Sequence, residues 1–132
     1  MTSETDTAAV LVAAEALSNA FDSQDLTAAL SCFADDDEVV YVGSEPGERA
    51  IGRSAVVTLL GDVFGRPESY SWRLVRPTVW TCGDVAGLCS EAVGRVRSAD
   101  GSQEFAYRLT GSLERINDTW RWRICHGSEP SA

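Results

Sequence analysis

Residues 103–126 read QEFAYRLTGSLERINDTWRWRICH, and the period of this stretch decides the fold. Apolar and polar residues alternate on both sides of Asn117-Asp118, the pattern of two half-buried strands joined by a tight turn. A two-residue turn there pairs Ile116 with Thr119. Even residues of the last strand then share a face with odd residues of the strand before it. That face holds Trp120, Trp122, Ile124 and His126 with Tyr107, Leu109, Gly111 and Leu113. The other holds Arg121, Arg123, Cys125, Arg108, Thr110, Ser112 and Glu114. The first set is apolar and aromatic and is assigned to the interior. His126 is therefore expected at the inner end of an apolar strand, near Leu109.

Two more strands of the same period precede this hairpin, over 72–82 and 85–97, with turns at Gly83-Asp84 and Asp100-Gly101. The face of the second depends on its turn. A two-residue turn puts Leu88, Ser90 and Ala92 inside and Glu91 outside, near Arg108. A turn one residue longer puts Cys89, Glu91 and Val93 inside.

Further out, the period becomes helical. Val10, Ala14, Leu17 and Phe21 recur at helical spacing over 7–23, with Leu11 beside them. Asp25 is suited to cap a second helix carrying Leu26, Ala29, Leu30 and Phe33. The acidic run 35–38 ends that helix as a solvated terminus, since negative charge is unfavourable there. A short strand over 39–42 leads into the loop Gly43-Ser44-Glu45-Pro46-Gly47. Ser54 can cap a third helix carrying Val56, Leu59, Leu60, Val63 and Phe64, stopped by Gly65 and Pro67. Residues 1–6 are polar and expected to fray, leaving one domain over 7–130. The layout is α+β: a cone-shaped α+β barrel, with three N-terminal helices packed on a curved, mainly antiparallel sheet enclosing a cavity.

Composition narrows the function. The 132 residues carry 20 acidic and 11 basic side chains, net −9. All the basic ones are Arg. An acidic chain is a poor partner for nucleic acid or an anionic membrane. Without Lys there is no Schiff-base chemistry. The four cysteines form no CxxC pair and sit in apolar stretches, and the polar start has no signal peptide. A reduced, cytoplasmic setting is expected. One histidine cannot build a multi-histidine metal site, and no phosphate-cradling glycine loop is present. Neither a metal nor another cofactor is expected.

The segments Asp25-Leu26-Thr27-Ala28-Ala29-Leu30 and Phe33-Ala34-Asp35-Asp36, Gly52, Pro77-Thr78-Val79, Gly83-Asp84-Val85-Ala86, Arg108-Leu109-Thr110 and the end from Trp120-Arg121 through His126, Ser128 and Pro130 resemble the nuclear transport factor 2-like superfamily, in its SnoaL-like branch. Ketosteroid isomerases, polyketide cyclases and the association domain of calcium/calmodulin-dependent protein kinase II share that superfamily. The resemblance implies the cone fold, and that His126 lines the cavity. It departs where ketosteroid isomerases act. Leu17 stands at the helix 1 tyrosine, Tyr41 or Val40 at the base, and a position near Gly111 at the third-strand acid.

The candidate site follows from these readings. His126 is the candidate acid/base, or a hydrogen-bond donor to a ligand carbonyl. Trp80, Trp122 and Tyr107 can stack on a flat ligand, and Tyr41 can donate a hydrogen bond into the cavity. Glu91 and Arg108 form either an outer-face ion pair or part of the site. The expected partner is a small apolar or aromatic ligand. A cofactor-free isomerase, cyclase, hydrolase or dehydratase and a non-catalytic binding module both fit. Arg108, Arg121 and Arg123 with Thr110 and Ser112 mark the outer sheet face as a homodimer surface.

Overall fold

A computed structural model describes residues 3–131. The apolar stripe of the first helix, α1 (Glu4–Ser23), buries Val10, Ala14, Leu17 and Phe21. Ser3 caps it, its Oγ accepting from the Asp6 amide at 3.2 Å. The helix thus begins three residues before the expected start at Thr7, and Met1 and Thr2 lie outside the described residues. Gln24, in the left-handed region at φ 53°, ends the helix. Asp25 caps the short α2 (Leu26–Ser31) through Oδ1 to the Ala28 amide. In α3 (Arg53–Phe64) the cap is Gly52, at φ 93° with no side-chain cap bond, where Ser54 was expected.

Six strands follow the order β2 (Arg49–Ile51), β1 (Val40–Val42), β6 (Thr119–Ser128), β5 (Gly101–Ile116), β4 (Val85–Ser98), β3 (Ser69–Cys82). The sheet is mainly antiparallel, with β1 running parallel to β6. It does not close on itself. The helices cover its concave face, and the core joins Leu17, Val56 and Leu60 of the helices to Leu88, Leu109, Leu113 and Trp122 of the sheet. Strand β2 and the parallel β1–β6 pair carry no period-two signal long enough to be read from sequence.

Two bulges decide which side chains face inward. In β6, Trp122 pairs with Leu113 but Ile124 pairs with Ser112, so Arg123 is an extra residue without a partner on β5. Residues before it keep the expected parity, and those after it invert. Cys125 is buried, whereas Ile124 and His126 are exposed on the convex face. The cause lies across the strand. Gly111 sits at φ 153°, and a Cβ there would lie 1.8 Å from the Ile124 carbonyl oxygen. Only glycine lets the two backbones approach this closely.

In β3 the register shifts between Val75 and Thr78, at Arg76 (φ 52°) and Pro77. Trp72 and Leu74 turn inward on one side of that bulge. Trp80 turns outward on the other and is 58% exposed. The β4–β5 turn is Ala99-Asp100, one residue earlier than expected. That slides the register by two and preserves the parity.

Candidate functional site

The open end of the cone carries a cavity between α1, β1, the β1–β2 loop, the end of α3 and the starts of β3 and β5. It holds about 60 Å³, room for a few waters, and about 500 Å³ when its open mouth is counted. Phe21, Trp72, Phe105 and all three tyrosines of the chain, Tyr41, Tyr70 and Tyr107, wall it. Trp72 stacks on Tyr107 with ring centroids 5.9 Å apart and meets Phe21 edge-on at 5.0 Å.

Local structure sets each wall. Ser18 of α1 holds both backbone groups of Trp72: its Oγ donates to the Trp72 carbonyl at 2.7 Å and accepts from the Trp72 amide at 2.8 Å. This fixes the indole on the free edge of the sheet. Tyr107 lies over Gly127, whose missing side chain makes the space, since a Cβ there would fall 1.7 Å from the phenol oxygen. Tyr41 sits on β1 opposite Cys125, between the rings of Phe21 and Phe33.

The mouth is charged. The Arg66 guanidinium lies 3.5 Å from Glu45 and 3.6 Å from Glu48. The Glu48 side chain is only 12% exposed. Gln24 holds the loop that carries Arg66, its Nε2 donating to the Arg66 and Glu68 carbonyls. Ser44 Oγ donates to Glu129 at 2.8 Å.

The phenols stay protonated. Burial raises the Tyr41 hydroxyl well above the ordinary tyrosine value, with Tyr107, Cys125 and Glu48 adding to it. Burial, then Cys125, Glu48 and Glu129, raises Tyr107 as well. Tyr41 is 6% exposed and Tyr107 9%. Among the described residues neither hydroxyl has a hydrogen-bond partner. The Cys125 thiol is pushed up by burial, which removes it as a nucleophile. Among the described residues no group of three or more His, Cys, Asp or Glu is arranged to hold a metal.

Of the expected site residues, this cavity brings together Tyr41 and Tyr107. The other five do not line it: the places of His126, Trp80 and Trp122 are corrections, while Glu91 and Arg108 take the outer-face alternative. His126 is on the convex face, inverted by the Arg123 bulge, with its carbonyl near Thr110 Oγ1. Trp80 is on that face too, because odd residues of β3 oppose inward even residues of β4 beyond the Pro77 bulge. Glu91 and Arg108 form an exposed pair there at 2.9 and 3.1 Å. Trp122 is inside but fully buried in the core, away from the cavity. The expected Arg-rich dimer surface also changes. Arg108 is paired with Glu91, and Arg123 holds Glu114 and Asp36. Asp35 and Asp36 are likewise ion-paired, where a solvated helix end was expected.

Glu48, Arg66, Tyr70, Trp72, Phe105 and Glu129 escaped the sequence reading. Glu48 and Arg66 lie in loops with no period. The signal that could have found Trp72 is Pro77, which marks a bulge in an edge strand and so a change of face.

The SnoaL-like domain family matches residues 10–132. The chain belongs to that family. No curated protein is significantly similar to it in sequence. Solved structures extend the likeness of this SnoaL-like chain. A candidate dehydratase of the NTF2-like family from Streptomyces avermitilis is 22% identical, covering 99% of this chain and 100% of its own, at TM-score 0.84. A candidate aromatic ring hydroxylase from Novosphingobium aromaticivorans is 19% identical, over 100% and 94%, at 0.85. A candidate calcium/calmodulin-dependent protein kinase type II association domain from Thiobacillus denitrificans is 22% identical, over 90% and 93%, at 0.71. At these identities they establish the shared fold. Among the described residues no helix is long and apolar enough to cross a membrane.

Proposed function

We propose that this SnoaL-like chain binds a small ligand of one ring bearing an oxygen, held in the concave cavity by the Tyr41 and Tyr107 hydroxyls. One observation carries the reading: two phenols, each about nine-tenths buried, line one cavity without partners among the described residues. Neither hydroxyl oxygen is closed off from the cavity, so a ligand oxygen entering it can accept from either phenol, a bond worth about 0.5–1.5 kcal/mol. The aromatic walls supply stacking and apolar contact. Titration with 4-propylphenol, followed by calorimetry and thermal melting, tests it. Saturable binding is expected, weakened about three- to tenfold in Tyr41→Phe and in Tyr107→Phe. Equal affinity in both variants and the parent contradicts the reading.

Glu48 favours a second reading, a cofactor-free proton-transfer enzyme. A nearly buried carboxylate beside two protonated phenols is the equipment for moving a proton next to a carbonyl or for losing water. The Streptomyces avermitilis neighbour, described as a candidate dehydratase, supports that class. Deuterium exchange next to the carbonyl of a cyclic ketone is expected in the parent protein and lost in Glu48→Gln. Exchange at the parent rate in that variant removes the reading.

The same chain is proposed to pair with a second copy through its convex face. Ile51, Val40, Ile124, Ser112, Gly87 and Trp80 fall in one row across all six strands. Ile51, Trp80, Val85 and Ile124 are large, apolar and exposed there, the mark of an association surface.

A further inference from the structure

Resting on the pocket reading above, the distribution of charge around the cavity goes one step further. Three carboxylates, Glu45, Glu48 and Glu129, line the mouth against one guanidinium, Arg66. Arg66 already lies against Glu45 and Glu48, so it offers no free positive charge to an anionic ligand. Glu129 is exposed at the rim and held in place by Ser44. Tyr70, Tyr107 and Trp72 line the same cavity. Electron-rich ring faces backed by negative charge are the chemistry that recognises an organic cation. The two unpartnered phenols provide the independent sign that a ligand belongs here, and they lie deeper than the carboxylates.

We propose that the ligand of this cavity carries a protonated amine at the end facing the mouth, opposite the oxygen held by Tyr41 and Tyr107. The ammonium group rests against the aromatic side chains and the carboxylate of Glu129, the one rim carboxylate not taken up by Arg66. Anionic ring compounds are rejected by the same carboxylate.

Three probes of like size separate this from the pocket reading alone: tyramine, protonated at neutral pH, its uncharged isostere 4-propylphenol, and the anion 4-hydroxyphenylacetate. Calorimetry on the full chain at low salt is expected to give tyramine about tenfold tighter than 4-propylphenol, with 4-hydroxyphenylacetate the weakest. Glu129→Gln is expected to cut the tyramine preference about threefold while leaving 4-propylphenol unchanged. Tyr107→Phe weakens tyramine and 4-propylphenol alike. Binding of 4-propylphenol as tight as that of tyramine overturns the cation proposal and leaves the pocket reading standing. So does a tyramine preference untouched in Glu129→Gln, because the preference then comes from the net negative chain and not from this mouth. Absence of binding by all three overturns both.

Discussion

The concave and convex faces of this sheet are built from alternate residues of the same strands, yet they carry opposite kinds of unfinished business. The concave face ends in a cavity where polar hydroxyls lack partners inside an apolar wall. The convex face pairs Arg108 with Glu91 and Arg123 with Glu114 and Asp36, and leaves large apolar side chains uncovered. An unpartnered donor open to a cavity asks for a small polar atom. An exposed apolar row asks for another surface. The contrast teaches that the two proposed functions, ligand binding and self-association, draw on separate side chains of one sheet.

The largest effect is expected where the two faces are separated, at Gly111. In Gly111→Ala the new Cβ meets the Ile124 carbonyl and the backbone is held at φ 153°. The cost is expected to be about 3 kcal/mol or more in a denaturant melt. Gly87→Ala, on the convex face with only the Trp80 ring near at 3.9 Å, is expected within about 0.5 kcal/mol of the parent. Similar costs for the two would break the account of the β6 bulge.

Next in size is the convex face itself. The parent is expected to sediment as a dimer, and the double variant Trp80→Glu, Ile124→Glu as a monomer at the same concentration. The variant's affinity for 4-propylphenol stays unchanged. Loss of binding together with the dimer would show that the two faces are coupled.

A smaller effect concerns the clamp on the bulge. Hydrogen bonds from Arg123, then from the Glu38 amide, hold the Asp36 carboxyl down to about 2. A depressed folded-state value stabilises above the unfolded value, near 4, and that contribution is lost as pH falls through the folded one. The Tm gap between the parent and Asp36→Asn is therefore expected in full at pH 6 and to close between about pH 4 and pH 2. A gap constant over that range would remove the clamp.

Much of the fold was legible because period and turn length are local properties. The hairpin at Asn117-Asp118, the four long strands, the α1 stripe and the Asp25 cap all follow from them. The site was less legible, for a physical reason. Parity propagates along a strand only until a residue is inserted, and the Arg123 insertion is a mismatch between two strands that neither one displays alone. Reading the parity straight through sent His126 inward. Gly111, a glycine inside an otherwise regular strand, was the one available sign of the bulge. Tyr41 was legible through the resemblance, which sets it at or beside the ketosteroid isomerase base position. Glu48 and Arg66 were not, because loop residues are brought to a cavity by tertiary contacts that leave no period.

The central claim is that ligand binding belongs to the concave cavity and not to the only histidine. Calorimetric titration of 4-propylphenol into the parent, Tyr107→Phe and His126→Ala tests it most directly. The account predicts an affinity about three- to tenfold weaker in Tyr107→Phe and unchanged in His126→Ala. Weakened binding in His126→Ala with parent-like binding in Tyr107→Phe would contradict it.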